Sequence, residues 1–111
     1  MSVTWHKLSL PTFPSNNLCD HEVAGKTVCL VKKEDKIYAV AQKCPHSGAI
    51  MSEGWLDARG YLVCPLHKYL FDVKNGRNVS GEGYVLKRWP LEEREDGLYL
   101  GLESVADAGP G

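Results

Sequence analysis

The chain has 111 residues, 43% of them hydrophobic and 24% charged, with a formal net charge of −1. That length supports one modest core in a single domain and leaves no room for a second. No basic excess points to nucleic acid as a partner, and no lysine block points to an anionic membrane.

The opening Met1–Lys7 lacks the apolar stretch of a secretory signal. The longest apolar runs, such as residues 61–66, are far short of the ~20 residues that cross a bilayer. The expectation is therefore a soluble, cytoplasmic protein with no membrane partner. The four cysteines, Cys19, Cys29, Cys44 and Cys64, are then read first as metal ligands or free thiols and only second as disulfides.

Residues 10–17, with Pro11 and Pro14, read as a loop. Thr27–Lys32 is rich in β-branched and apolar residues, Glu34-Asp35-Lys36 is a polar turn, and Ile37–Ala41 is the returning strand of a hairpin. Tyr61–Val63 predicts a short strand after Arg59-Gly60. Tyr69–Asp72 predicts another, ended by the turn signal Asn75-Gly76. Val85–Leu91 and Leu98–Leu102 flank Glu95-Asp96-Gly97 as a third hairpin, whose acidic run is a solvated face. With 11 Gly and 6 Pro scattered between short runs, and no long 3.6-residue period, the fold class is all-β, an antiparallel sandwich or partial barrel. Residues 1–103 form the domain, and the small, polar 104–111 predicts a frayed tail.

Two segments carry chemistry: Cys44-Pro45-His46-Ser47-Gly48-Ala49 and Cys64-Pro65-Leu66-His67-Lys68-Tyr69. They make Cys-x-His, seventeen intervening residues, then Cys-x-x-His. Each follows a predicted strand, so each lies on a loop, and two loops at one end of a β scaffold can hold a metal centre between them. Proline after each Cys restricts the backbone and removes a donor. Gly48 permits a positive φ or close approach. Two Cys and two His also suit tetrahedral zinc, which leaves a zinc-stabilised interaction module open, although zinc fingers usually pair Cys with Cys and His with His. Cys29 reads as plain core and Cys19 as a free surface thiol. Trp5, Trp55 and Trp89 read as core or core-rim aromatics.

From about Thr4 to Leu102 the sequence resembles the Rieske family. The run Cys64–Asp72, followed by Asn75-Gly76, is similar to the Rieske-type small subunits of NAD(P)H nitrite reductases; the dioxygenase ferredoxins share its size and layout. The resemblance implies a two-loop cluster-binding part at about 42–84 on a larger β base. It implies one [2Fe–2S] cluster, with Cys44 and Cys64 on one iron and His46 and His67 on the other. Such a ligand set leaves the oxidised site neutral, because two thiolates balance the cluster and the imidazoles add nothing. Reduction is then easier than at an all-cysteine site. The high-potential respiratory members carry an extra Cys in each loop, where this chain has Ala49 and Leu66. They carry Ser and Tyr hydroxyls where it has Tyr69 and Phe71. The usual Gly after the second His is here Lys68.

A Rieske centre passes single electrons, whereas nicotinamide delivers hydride. The chain has neither a G-x-G-x-x-G after a strand nor a P-loop, so it is not read as a self-sufficient enzyme. The expected function is an electron carrier or reductase subunit, first the small subunit of a nitrite reductase, alternatively the ferredoxin of an aromatic-ring dioxygenase. The expected partner is a redox protein, either a sirohaem or flavin reductase subunit or an oxygenase.

Overall fold

The computed structural model describes residues 3–9, 11–45 and 48–103. The expected tail at 104–111 lies outside them. The described residues carry ten strands: β1 (Val3–Leu8), β2 (Leu18–Val23), β3 (Lys26–Lys33), β4 (Lys36–Ala41), β5 (Trp55–Leu56), β6 (Leu62–Val63), β7 (Leu70–Phe71), β8 (Arg88–Trp89), β9 (Leu91–Arg94) and β10 (Gly97–Glu103). A single 3-10 turn, Met51–Glu53, precedes β5, and no helix among these residues is long and apolar enough to cross a membrane. The all-β expectation holds.

The strands form three antiparallel sheets, ordered β1-β10-β9, β2-β3-β4-β8 and β5-β6-β7. The four-stranded sheet is covered on both faces. Val28, Leu30 and Ala39 pack with Leu8, Val23, Trp89, Leu98, Leu100 and Leu102, the core shared with the β1-β10-β9 sheet. Cys29, Val31 and Val40 point the other way, into a second core with Leu18, Met51, Leu62, Phe71, Val73 and Leu86. Double coverage is why Val28–Val31 is buried without a break: a strand with one wet face alternates, and this one need not. Burial of a side chain such as Phe71, fully enclosed here, contributes roughly 2–3 kcal/mol.

The hairpin expected at 27–41 is present, in the register Val28↔Ala41 to Lys33↔Lys36. The third hairpin needs correction. Val85–Leu91 is not one strand, because Pro90 breaks the ladder. Trp89 pairs with Ala39 in the central sheet, while Leu91 pairs with Leu100 in another. The hairpin proper is β9–β10, turning at Glu95-Asp96, and these acids are exposed as expected. Of the tryptophans, only Trp89 is core, 8% exposed; Trp5 and Trp55 are 36% and 41% exposed.

Two glycines set the approach of the cluster-side segments. A Cβ on Gly54 would lie 1.9 Å from the Val63 carbonyl oxygen, and one on Gly76 would lie 2.1 Å from that of Leu86. Gly76 also has φ +76°, which suits the turn after β7.

Candidate metal centre

The first loop leaves the end of β4 and is closed at its neck by the Lys43↔Ile50 bridge. The second joins β6 to β7, so its ends are fixed by the pairs Leu62↔Phe71 and Val63↔Leu70. Although their sequences differ, the loops share one hydrogen-bond frame. The Cys44 amide donates to the Ala49 carbonyl at 2.8 Å, and the Gly48 amide to the Cys44 carbonyl at 2.9 Å. The Cys64 amide donates to the Tyr69 carbonyl and the Lys68 amide to the Cys64 carbonyl, both at 2.9 Å. In each loop the residue four after the cysteine turns into the left-handed region, Gly48 at φ +76° and Lys68 at φ +61°. Lys68 thus adopts the conformation for which glycine is the usual residue.

Cys44 and Cys64 are 3% and 0% exposed and belong to the same buried cluster as Phe71, Leu62 and Met51. Neither is in a disulfide. His67 is exposed, its ring centroid 5.9 Å from that of Tyr69. His46 lies outside the described residues. Among the residues that are described, no three His, Cys, Asp or Glu side chains gather closely enough to grip one metal ion. A binuclear cluster does not require that, since its ligands fall in two pairs. The donor chemistry fits: two soft thiols lie in apolar surroundings, and the His67 imidazole lies toward solvent.

Cys19 and Cys29 stand apart, and neither is in a disulfide. Cys29 is fully buried in the core, as expected. Burial, with a smaller contribution from the Asp20 carboxylate, pushes its thiol up to about 12. Cys19 is half-buried, and its thiol donates to the Asp20 carbonyl at 3.4 Å.

A third segment, 78–84, at the end of the expected cluster-binding part, packs beside the second loop. Asn78 is its hub. The two hydrogens of Asn78 Nδ2 are shared among the Leu70 carbonyl at 3.1 Å, Ser80 Oγ at 3.1 Å and Glu82 Oε1 at 2.9 Å. Its Oδ1 accepts from the amides of Glu82 and Gly83. Ser80 Oγ in turn accepts from the Leu70 amide at 3.0 Å. The loop so clipped to β7 brings Tyr84 onto Tyr69, ring centroids 6.0 Å apart and 22° from parallel. Desolvation, followed by the Glu82 carboxylate, raises the Tyr69 hydroxyl above the ordinary tyrosine value. The available sequence signal was Asn78 and Ser80 ahead of two glycines, a composition that favours local side-chain-to-backbone bonds.

The family model described as the Rieske [2Fe-2S] domain matches residues 6–90. A ferredoxin component of naphthalene 1,2-dioxygenase/salicylate 5-hydroxylase systems from Ralstonia sp is 38% identical over 68 residues, 61% of this chain and 64% of that protein. The match therefore spans a little under two thirds of that relative's length. The nitrite reductase [NAD(P)H] of Emericella nidulans is 32% identical over 89 residues, 72% of this chain and only 8% of that far longer protein. In structure, the ferredoxin of carbazole 1,9a-dioxygenase from Nocardioides aromaticivorans IC177 superposes with a TM-score of 0.76 at 22% identity, covering 91% of this chain and 99% of its own. The loop pair, the donor set and the family match lead to one conclusion: the chain belongs to the Rieske [2Fe–2S] domain family and holds one [2Fe–2S] cluster.

Proposed function

We propose that the chain is a one-electron carrier in which Cys44 and Cys64 hold one iron of the cluster and His46 and His67 hold the other. The observation that supports this most is the second loop. There a fully buried Cys64 and an exposed His67, three residues on, are braced by the same hydrogen-bond frame that braces Cys44. The cluster, when bound, supplies a centre that accepts and returns one electron. The chain's own residues do the rest. Leu62, Met51 and Phe71 pack in the same buried group as the two thiols and keep water from them. His67 offers a short route to whatever protein docks at the loops. The amides of Cys44 and Cys64 are committed to carbonyls across their own loops, so each cysteine backbone is fixed before metal arrives.

Iron and acid-labile sulfide analysis tests the assignment. The protein is expected to carry about two of each per chain and to lose them in Cys44→Ser, Cys64→Ser, His46→Ala and His67→Ala, but not in Cys19→Ser or Cys29→Ser. One zinc per chain without sulfide, or a full cluster in Cys64→Ala, would overturn it.

The partner follows from the chemistry. A single-electron carrier needs a flavin, sirohaem or oxygenase protein beside it. The first reading is the small subunit of a cytoplasmic NAD(P)H nitrite reductase, supported by the wording of Cys64–Asp72 and by the stretch shared with the fungal enzyme. The second is the ferredoxin of an aromatic-ring dioxygenase, supported by the higher identity to the Ralstonia component. Stopped-flow reduction by a sirohaem-containing nitrite reductase and by a dioxygenase reductase separates them: the true partner exchanges electrons at rates that saturate with concentration.

A further inference from the structure

We propose that Tyr84 is a positioning residue for the cluster: its ring, laid on Tyr69 by the 78–84 loop, holds Tyr69 beside His67 and so fixes the orientation of the His67 imidazole. The inference rests on the reading of His67 as an iron ligand, and it adds to the site a residue that belongs to neither ligand loop.

Local backbone bonds deliver Tyr84 to this place. Residues 78–84 form a compact surface loop whose ends lie close together. Asn78 is bridged to Phe71 and Val85 to Arg77, and the Leu86 amide donates to the Gly76 carbonyl at 2.8 Å. Inside this neck, Asn78 Oδ1 accepts at 2.8 Å from the amide of Gly83, the residue immediately before Tyr84. The Val79 amide donates to the Leu70 carbonyl at 2.8 Å, which ties the loop to the strand that begins directly after Tyr69. Both ends of the loop are therefore fixed before the two tyrosine rings meet.

Three rings then lie in a row. Tyr84 and Tyr69 are 6.0 Å apart and 22° from parallel; Tyr69 and His67 are 5.9 Å apart and inclined by 40°. Both distances fall within the span of about 4.5–7 Å at which aromatic rings attract. Exposure sets the part each ring plays. His67 is exposed, so burial does little to hold its ring. Tyr69 is half-buried and packs on the core group that contains Cys44 and Cys64, which makes it the inner, anchored member. Tyr84, 37% exposed, is the outer member, and its contact opposes any swing of Tyr69 toward solvent. An imidazole on iron works in one ring orientation, set by the groups around it. Tyr69 is a neighbour that supplies such a constraint, and Tyr84 keeps Tyr69 in place to supply it. The contact uses the face of the Tyr84 ring and not its hydroxyl.

Pulsed EPR of the reduced, cluster-loaded full chain reads the imidazole nitrogen couplings, and transfer of iron to bathophenanthroline reads how often the site opens. The parent is expected to show sharp couplings from His46 and His67. Tyr84→Ala should broaden or split one of them and release iron about two- to tenfold faster, the range that follows from losing one aromatic pair. Tyr84→Leu keeps apolar bulk without a flat ring; it should load cluster as the parent does and still show the altered coupling. Tyr84→Phe keeps the ring and should match the parent in both measurements. Trp5→Ala removes a ring of similar exposure, 36%, from the β1-β10-β9 sheet and should change neither. Parent couplings in both Tyr84→Ala and Tyr84→Leu, even with faster iron release, would overturn the proposal. So would a Tyr84→Phe protein as altered as Tyr84→Ala, or the same changes in Trp5→Ala. A parent without imidazole couplings would instead remove His67 as a ligand and the inference with it, so the two failures are read apart.

Discussion

The paired left-handed residues of the two loops make a quantitative test of how the site is built. Gly48 and Lys68 occupy equivalent places, each donating its amide to the cysteine carbonyl four residues back. A left-handed conformation costs a non-glycine residue about 1–2 kcal/mol, and Lys68 carries that cost at φ +61°. Replacing it by glycine removes the strain but adds roughly 0.5–1 kcal/mol of backbone freedom in the unfolded chain. The net expectation for Lys68→Gly is a gain of about 0.5–1 kcal/mol. Gly48→Ala runs the other way. Nothing lies within 4 Å of the added methyl, so the loss of about 0.5–1 kcal/mol is purely conformational. For a domain of this size, 1 kcal/mol shifts the melting temperature by about 4 °C. Thermal unfolding of the cluster-loaded protein, followed by visible absorbance and circular dichroism, should therefore show Lys68→Gly melting a few degrees higher and Gly48→Ala a few degrees lower. Lys68→Ala should stay near the parent, because it removes the side chain and keeps the backbone strain. A Lys68→Gly protein that melts several degrees lower would refute the strain argument and show that the lysine side chain itself holds the loop.

Asn78→Ala removes the two amide hydrogens shared among Leu70, Ser80 and Glu82 and the acceptor of the Glu82 and Gly83 amides; because all of these contacts but the one to Leu70 are exposed, this should cost about 1–2 kcal/mol in urea unfolding, and hydrogen exchange at the Gly83 amide should accelerate with it. Ser80→Ala, which strips the acceptor from the Leu70 amide, should cost about 1 kcal/mol. The buried Cys29 thiol predicts alkaline sensitivity: its folded value of about 12 lies above its ordinary 9.0, so its stabilisation is intact below pH ~9 and is lost as pH rises toward ~12, by up to about 1.4 kcal/mol per unit. Cys29→Val should flatten that slope in urea melts of the cluster-free protein at pH 8–10.5, and an unchanged slope would reject Cys29 as its source. The cluster's midpoint potential, measured by voltammetry, should fall at the low end of the Rieske range, roughly −150 to −50 mV, because Phe71 has no hydroxyl and loop positions 49 and 66 hold no cysteine; a value above about +150 mV would contradict this.

The elements that were legible in the sequence are those whose pairing is local. The β3–β4 hairpin announces itself because Val28–Val31 is β-branched and apolar and its partner follows after two turn residues. Strand β1 is invisible by the same measure, since its polar-rich VTWHKL pairs with β10 at the far end of the chain, Val3↔Glu103 through Leu8↔Leu98. Strand β2, LCDHEV, buries only its two ends and is held as a strand by β3 rather than by its own pattern. Pro90 is the sequence signal that splits Val85–Leu91 between two sheets. The exposure of Trp5 shows why aromatic content overpredicts core: a ring can be satisfied at the surface, and Trp5 lies under the Arg94 guanidinium at 5.4 Å. Spacing marks the two loops as a candidate site because metal ligands recur at fixed offsets. The Asn78 hub obeys no such rule, since its meaning depends on which strand the chain lays beside it.

The two cores explain how a small domain can carry a reactive centre on loops without losing its fold. The core between the first two sheets contains no thiol, and its hairpins and the β1–β10 pair close on one another without help from residues 42–84. The second core is where Cys44 and Cys64 are seated, beside Val31 and Val40 of the same central sheet. Strand β3 therefore serves both, its even-numbered side chains holding the base and its odd-numbered ones supporting the loops. This arrangement links the geometry of Cys44 and Cys64 to a strand buried on both faces, the most rigid environment the fold offers. The imidazole of His67 is exposed. On the proposed assignment, buried sulfur ligands on the rigid side and an exposed imidazole on the wet side would suit a carrier, since a fixed inner shell limits rearrangement while the exposed edge lets an electron leave.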